Sequence, residues 1–246
     1  MAKIVLGIGT SHTPMLNTPV EDWPRFIERD RLRPHLTKDG RSVTYEELER
    51  LATPDIAAEL KPEVFADKHR RALAQVDRMA QTLCDARLDT LIIVGDDQKE
   101  LYHDDNMPAI LVYRGQAIRN VPQASHPGPE WARKASARYF EQEVPRDYPV
   151  DVRLAEHLIS QLMEDFDISC ANRLADGQGE GHAFGFVHNR LLTGLTLPVV
   201  PVFLNTYFPP NQPTPSRCYR LGQAIRRAVE SLPGRSEEHT SELQSH

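Results

Sequence analysis

His12 is the first side chain in this sequence with the chemistry to hold a metal ion. It follows the apolar run 4–8 after a short turn, and Pro14 stiffens the chain just beyond it. A neutral imidazole is a common ligand of first-row metals, and ligands of an open α/β sheet bind beyond the carboxyl ends of its strands. The position therefore predicts a functional histidine. The simpler alternative is a histidine that only bonds a loop carbonyl.

A second polar group comes directly after the apolar run 91–94. It consists of Asp96, Asp97, Gln98 and Glu100, which are more polar side chains than a turn requires. Their oxygen atoms suit a divalent cation. The alternatives are a solvated acidic turn or a metal-dependent hydrolase or lyase that uses Asp96, Asp97 and Gln98 around a hard metal.

A third group is the glycine-rich stretch 177–181, which leads into a predicted helix over 183–192. His182 therefore lies at the start of this helix, where the backbone favours negative charge nearby. It is a candidate hydrogen-bond donor to an anionic ligand. His188 is better explained as a helix-surface residue, and His157 as a core residue on an apolar stripe.

Strand and helix patterns alternate along the chain and predict how these groups are positioned. Continuous apolar, β-branched runs are typical of strands covered on both faces. They occur at 4–8, 91–94, 109–113 and 199–204, with a weaker one at 167–171. Capping signals and helical periodicity predict helices over 44–52, 62–87 and 215–232, and weaker ones over 129–141, 151–164 and 183–192. We therefore expect an α/β fold with a mostly parallel central sheet flanked by helices and a helical insertion after the first strand.

Composition narrows the classes of function. The net charge of −6 argues against a nucleic-acid partner, and no apolar run is long enough to span a membrane. The N-terminal residues lack a secretory signal pattern. The cysteines, Cys84, Cys170 and Cys218, are odd in number and far apart, which favours a reducing, cytoplasmic location over a disulfide framework.

Three stretches together resemble class III extradiol ring-cleavage dioxygenases of the protocatechuate 4,5-dioxygenase β-subunit type. They are MAKIVLGIGTSHTPML, then LIIVGDDQ followed by NMPAILVY, and finally LNTYFPPNQPTPSRCYRLGQAIRRAVESLP. The last stretch is the most specific, and the resemblance runs in patches over residues 2–233. It implies Fe(II)-dependent opening of catechol-type aromatic acids by O₂, in the breakdown of aromatic compounds.

The resemblance also assigns roles to particular residues. His12 matches an iron-binding histidine of the family, and His182 matches a histidine that lies beside the substrate and helps to position it. Gln98 stands where the family has its second iron histidine, so we expect it to be a weaker metal ligand unless Glu100 replaces it. His12 and Gln98 should face one cleft, with His182 on its wall. The resemblance also allows a homo-oligomer or a small helical partner subunit.

The C-terminal stretch RSEEHTSELQSH, residues 235–246, has a different character. Apart from Leu243 it carries no apolar side chain, and it matches one reading frame of a common sequencing adapter. We interpret residues 1–234 as a partial domain with a helical insertion at about 18–88, and 235–246 as a non-native, disordered tail. The family's proton-transfer histidine and iron-binding carboxylate lie beyond the position of Pro233. The resemblance therefore implies an inactive fragment, and a degenerate, non-catalytic binding subunit is the alternative.

Overall fold

The strands and helices alternate along the chain, as expected of an α/β protein. The computed structural model describes residues 2–52, 56–123 and 128–233. The strands are β1 (His35–Leu36), β2 (Ser42–Val43), β3 (Leu91–Asp96), β4 (Ile110–Tyr113), β5 (Ala117–Asn120), β6 (Arg146–Pro149), β7 (Ser169–Ala171) and β8 (Val199–Leu204). The helices are α1 (Pro24–Arg31), α2 (Tyr45–Leu51), α3 (Ile56–Glu59), α4 (Pro62–Asp85), α5 (Glu130–Ala137), α6 (Val152–Leu162), α7 (His182–Phe186) and α8 (Pro215–Ser231).

The central sheet has the strand order β3-β8-β4-β7. Strand β3 pairs with β8 in parallel, β4 pairs with β7 in parallel, and β8 pairs with β4 in the antiparallel direction. Two of the three pairings are therefore parallel, and the expected mostly parallel α/β sheet is confirmed. Two short antiparallel pairs, β1 with β2 and β5 with β6, lie outside it.

The sheet separates two hydrophobic cores, and β8 contributes to both of them. Val199 and Phe203 belong to one core, whereas Val200 and Val202 belong to the other, because successive side chains of a strand point to opposite faces. Helices α6 and α8 cover one face, with α4 and α7 on the other. Both faces are therefore covered, which explains why the sequence of β8 is continuously apolar.

Most predicted elements are confirmed with small shifts at their ends. The predicted strand 199–204 coincides with β8, and the runs 91–94, 109–113 and 167–171 contain or overlap β3, β4 and β7. Thr44 and Glu47 form the predicted capping box of α2, and Thr214 caps α8. The predicted helix over 183–192 is divided into α7 and a π-helical turn, Val187–Leu191.

The predicted first strand, residues 4–8, is wrong. Residues 2–13 have no regular secondary structure, and Ile4, Val5 and Ile8 are 49%, 58% and 38% exposed. A β-branched run forms a strand only if a neighbouring strand pairs with it, and in the described sheet β3 pairs with β8 alone. His12 is consequently positioned by loop contacts.

Other predictions concern the segments around this sheet. Helices α1 to α4 lie within the expected insertion at about 18–88.

The hairpin of β5 and β6 was not predicted, and its Arg119 donates to both carboxylate oxygens of Asp147 at 2.7 Å. None of the helices in the described parts of the chain is long and apolar enough to cross a membrane. The predicted tail, residues 235–246, lies outside the described residues.

Candidate metal and substrate site

Three side chains from distant parts of the sequence meet beside the end of β3. His12 Nε2 lies 3.1 Å from His182 Nε2 and 3.5 Å from Asp96 Oδ1. One ligand atom from each of the three residues lies within 4.8 Å of the others. Two imidazoles and one carboxylate are the ligand set of non-haem Fe(II) oxygenases. The cluster is therefore a candidate metal centre.

His12 is held by the contacts of its own loop. The Thr13 side chain caps a 3₁₀ turn, Pro14–Asn17, and the hydroxyl of Tyr139 donates a hydrogen bond to the backbone carbonyl of His12. The Tyr139 ring also contacts His182 edge to face, with ring centroids 5.7 Å apart. Tyr139 therefore connects the segment that carries His12 to the wall that carries His182.

Glu100 fixes the orientation of His182. One carboxylate oxygen, Oε2, accepts the backbone N–H of His182 at 3.1 Å and the ring Nδ1–H at 2.7 Å. Gly181 leaves room for this contact, because a Cβ atom at that position would lie 2.6 Å from the same oxygen. The bond at Nδ1 turns Nε2 towards His12 and Asp96.

The same contacts set the pKa of His182. Burial lowers the pKa of His182, but the hydrogen bond that its ring donates to Glu100 and the charges of Glu100, Asp96 and Asp97 outweigh burial, so the pKa lies above its ordinary value. A proton and a metal ion would compete for the same lone pair on Nε2. Protonation of His182 therefore opposes metal binding at this site.

Asp96 is the carboxylate that the sequence analysis did not single out as the partner of the two histidines. Gln98, the predicted metal ligand, donates from Nε2 to Asp96 Oδ2 at 2.9 Å. The hydrogen bonds from His12 and Gln98 lower the pKa of Asp96 to about 2, against the opposing effect of burial. Asp96 is therefore ionised at neutral pH. A metal-binding role for Gln98 itself stays a prediction.

Asp97 serves the backbone of the turn. Only 4% of it is exposed, and its carboxylate accepts the backbone N–H groups of Glu100, Leu101 and Tyr102 at 2.9–3.1 Å. Burial raises the pKa of Asp97, although these hydrogen bonds act in the opposite direction. Asp97 is not part of the ligand group that converges in the described residues, so a hydrolase site built from Asp96, Asp97 and Gln98 would lack one of its three ligands.

A cleft of about 1250 Å³ opens beside the cluster. It is bounded by residues 6–14 on one side and by β3 on the other, and His12, Gln98 and His182 all line it. Its lining combines apolar side chains, such as those of β3, with polar and charged ones, and small-molecule sites use both kinds of contact. The cleft is large enough for a single aromatic ring and its substituents.

The two other histidines considered from the sequence, His188 and His157, are not part of the cluster. The prediction of a surface position for His188 is wrong: only 2% of it is exposed, and its Nδ1 bonds the buried Glu180 at 2.8 Å. The Tyr148 ring stacks on His188 at 3.9 Å. His157 lies between α6 and α8, where its Nε2 is 2.9 Å from the carbonyl oxygen of Ala228. The sequence offers no clear sign of the pairing between Glu180 and His188.

Comparison with known proteins adds one finding. A family model described as the catalytic LigB subunit of aromatic ring-opening dioxygenase matches residues 56–239. The matched segment includes Asp96, Gln98 and His182, whereas His12 lies N-terminal to it. No curated protein matches the chain.

Proposed function

Because the chain belongs to the family of the catalytic LigB subunit of aromatic ring-opening dioxygenases, we propose that it acts on catechol-type aromatic acids with O₂ and Fe(II). The observation that carries the proposal is the meeting of His12, Asp96 and His182 within 4.8 Å at the mouth of a cleft. The proposal includes a role in the breakdown of aromatic compounds. A cytoplasmic location is supported by the three free cysteines.

The donor set fits ferrous iron. We assign His12, Asp96 and His182 as the residues that would hold the ion, because their ligand atoms are 3.1 and 3.5 Å apart. Neighbouring ligands of one ion are separated by about 3 Å if each lies at about 2.1 Å from it. Gln98 then holds Asp96 in place. A ferrous ion, when bound, supplies the redox chemistry that lets a catechol ring react with O₂.

The surrounding residues prepare these donors. Glu100 accepts the Nδ1–H of His182, so Nε2 faces the cleft as an acceptor or ligand in the neutral ring and as a donor in the protonated ring. Tyr139 holds the carbonyl of His12 and covers one side of His182. A ring bound against the apolar side chains of β3 would displace water from them, which would strengthen the interaction of its charged oxygens with the histidines.

Two roles are open to His182, and they can be distinguished by experiment. As a third ligand it would bind the metal directly, and as the resemblance implies it would instead hydrogen-bond a substrate oxygen. Metal content decides between these roles. His182→Ala should lose most of its Fe(II) in the first case and retain it in the second, with weaker catechol binding.

The function is tested by anaerobic titration with Fe(II) and then with 4-nitrocatechol, whose visible spectrum changes when it loses its protons. We expect one Fe(II) per chain and catechol binding that depends on the metal. His12→Ala should weaken both by more than the roughly 10–100-fold that loss of a group behind a ligand costs. His103→Ala is the matched control, because His103 is an exposed loop residue. Equal Fe(II) binding by His12→Ala and the unaltered protein would refute the proposed metal site.

O₂ uptake separates turnover from binding. With added Fe(II), O₂ uptake in the presence of protocatechuate should exceed that of a control without protein. Uptake no greater than the control, in a protein that binds Fe(II) and catechol, would reject turnover and leave only the binding site. Absence of both Fe(II) and catechol binding would instead favour a non-catalytic subunit with another ligand.

A further inference from the structure

Lys99 brings a positive charge to the cleft. In the described ranges 2–52, 56–123 and 128–233, it is the one lysine or arginine among the residues that line this cleft. It lies three residues after Asp96 and next to Gln98, so it belongs to the same turn as the candidate metal centre. The carboxylates of Asp96 and Glu100 line the cleft as well. Among the described residues that line the cleft, Lys99 is therefore the one side chain with a permanent positive charge.

The backbone of Lys99 is held in an uncommon conformation. Its φ angle is +61°, in the left-handed region that non-glycine residues rarely adopt. The Asp97 carboxylate accepts the N–H groups of the three residues that follow, Glu100, Leu101 and Tyr102. These bonds fix the turn, and they hold the start of the lysine side chain at the edge of the cleft.

The far end of the lysine side chain rests on a second rigid loop. The Lys99 Nζ atom lies 4.6 Å from the centre of the Phe208 ring, a distance typical of cation–π contacts. Asn205 Oδ1 accepts the N–H groups of Phe208 at 2.8 Å and Tyr207 at 3.3 Å. Phe208 follows β8 and Lys99 follows β3, and these two strands are parallel neighbours. The ammonium thus lies beyond the carboxyl ends of both strands, the usual place for a ligand.

The lysine already has one partner, but a weak one. Asp104 Oδ1 lies 2.7 Å from Lys99 Nζ, and the Asp104 side chain is 84% exposed. Ion pairs with such an exposed partner contribute little. An ammonium has three donors, so Lys99 can bind a second carboxylate with or without losing Asp104.

We propose that Lys99 is the specificity-determining cation of this cleft and binds the carboxylate of an aromatic acid. The inference rests on the proposed function, which it deepens by naming the residue that selects the carboxylate of the aromatic acid. The ring of the ligand lies along the apolar wall, its hydroxyl end faces the histidines, and its carboxylate reaches Lys99. Neutral rings with the same shape bind less well.

The test compares 4-hydroxybenzoate with 4-hydroxybenzyl alcohol by isothermal titration calorimetry, with and without added Fe(II). Neither probe has the paired hydroxyls of a catechol, so the comparison isolates the carboxylate. We expect the unaltered protein to bind the acid about ten-fold more tightly, since hydrogen bonds to charged groups are strong. Lys99→Gln should reduce the preference to less than two-fold, and Lys99→Arg should retain it.

Asp104→Asn is the matched control. It leaves Lys99 in place and removes its competing partner, so the preference for the acid should stay the same or increase. High salt should weaken the preference in the unaltered protein. The proposal is overturned if the unaltered protein shows no preference for the acid, or if Lys99→Gln keeps the preference while its thermal unfolding is unchanged.

Failure of this proposal differs from failure of the proposed function. Loss of the carboxylate preference in Lys99→Gln supports the anion site even if no catechol binds through Fe(II). Fe(II)-dependent catechol binding with an unaltered preference in Lys99→Gln supports the function and rejects the anion site.

Discussion

Two glutamate–histidine pairs occupy neighbouring parts of the molecule and serve different purposes. Glu100 and His182 lie at the cleft, where the side chains are 28% and 15% exposed, and Nε2 of the histidine faces two other metal-binding groups. Glu180 and His188 are fully buried, and Nε2 of His188 has no hydrogen-bond partner among the described residues.

The difference shows that the surroundings, and not the pair itself, determine the role. Glu180 also accepts from Asn120 at 2.8 Å, and Asn120 Oδ1 accepts the backbone N–H of Glu141. Its contacts therefore join the β5 hairpin to the π-helical turn. Glu100 instead contacts His182, which lines the cleft. We infer that the buried pair maintains the fold and the cleft pair maintains the chemistry.

The largest effect should come from breaking the buried pair. Glu180→Ala leaves His188 Nδ1 and Asn120 Nδ2 without this acceptor, and removal of one member of a buried pair costs roughly 3–5 kcal/mol of the free energy of unfolding. Urea denaturation measures this change. Glu164→Ala, at an exposed glutamate, should change stability by less than about 0.5 kcal/mol. Similar losses in both variants would contradict a special role of the buried pair.

Breaking the cleft pair should affect the metal more than the fold. Glu100→Ala removes the acceptor that orients His182, and loss of such a group typically lowers metal affinity about 10–100-fold. Glu100→Gln keeps an acceptor oxygen and should fall between the alanine variant and the unaltered protein. Competition titration with a chromophoric chelator gives the affinities. Unchanged affinity in Glu100→Ala would mean that the pair does not support a ligand.

A smaller effect should come from competition between protons and metal for His182, and only the cleft pair should show it. The pKa of His182 lies above its ordinary value of 6.5, so metal must displace a proton as the pH falls through that raised pKa. Apparent metal affinity should then drop about ten-fold for each unit by which the pH falls further.

The folding stability of the metal-free protein should change with pH in the opposite direction. The stability from protonated His182 is complete below pH 6.5 and is lost as the pH rises through the raised pKa. Titrations between pH 5.5 and about 8 check both trends, and His182→Gln should abolish them.

The smallest effect concerns the residue that joins the His12 segment to the cleft wall. Tyr139→Phe keeps the ring against His182 but removes the hydroxyl that binds the His12 carbonyl. One such hydrogen bond contributes about 1 kcal/mol, so metal affinity should fall about five-fold at most. Tyr148→Phe, which removes a hydroxyl near the buried pair, should leave the affinity unchanged. An equal effect of both substitutions on metal affinity would contradict the different roles inferred for the cleft pair and the buried pair.

Local sequence patterns predicted much of the fold, because each pattern reflects the packing environment of its element in the structure. The run 199–204 is apolar throughout, and β8 is covered on both faces. Residues 4–8 show the same pattern and form no strand. Propensity describes a residue's fit to a sheet, whereas strand formation also needs a partner that lies far away in sequence.

The sequence by itself determined the chemistry available to this protein: histidines at 12 and 182, an acidic turn at the end of β3, and a resemblance to ring-cleavage dioxygenases, which the family model confirms at the level of the family. Only the tertiary structure decided which of these groups meet. Asp96 and Asp97 are neighbours in sequence, but one faces the histidines and the other binds the backbone of its own turn. Successive side chains of an extended chain point in opposite directions. Packing of the sheet decides which direction is the cleft, and no local pattern records that choice.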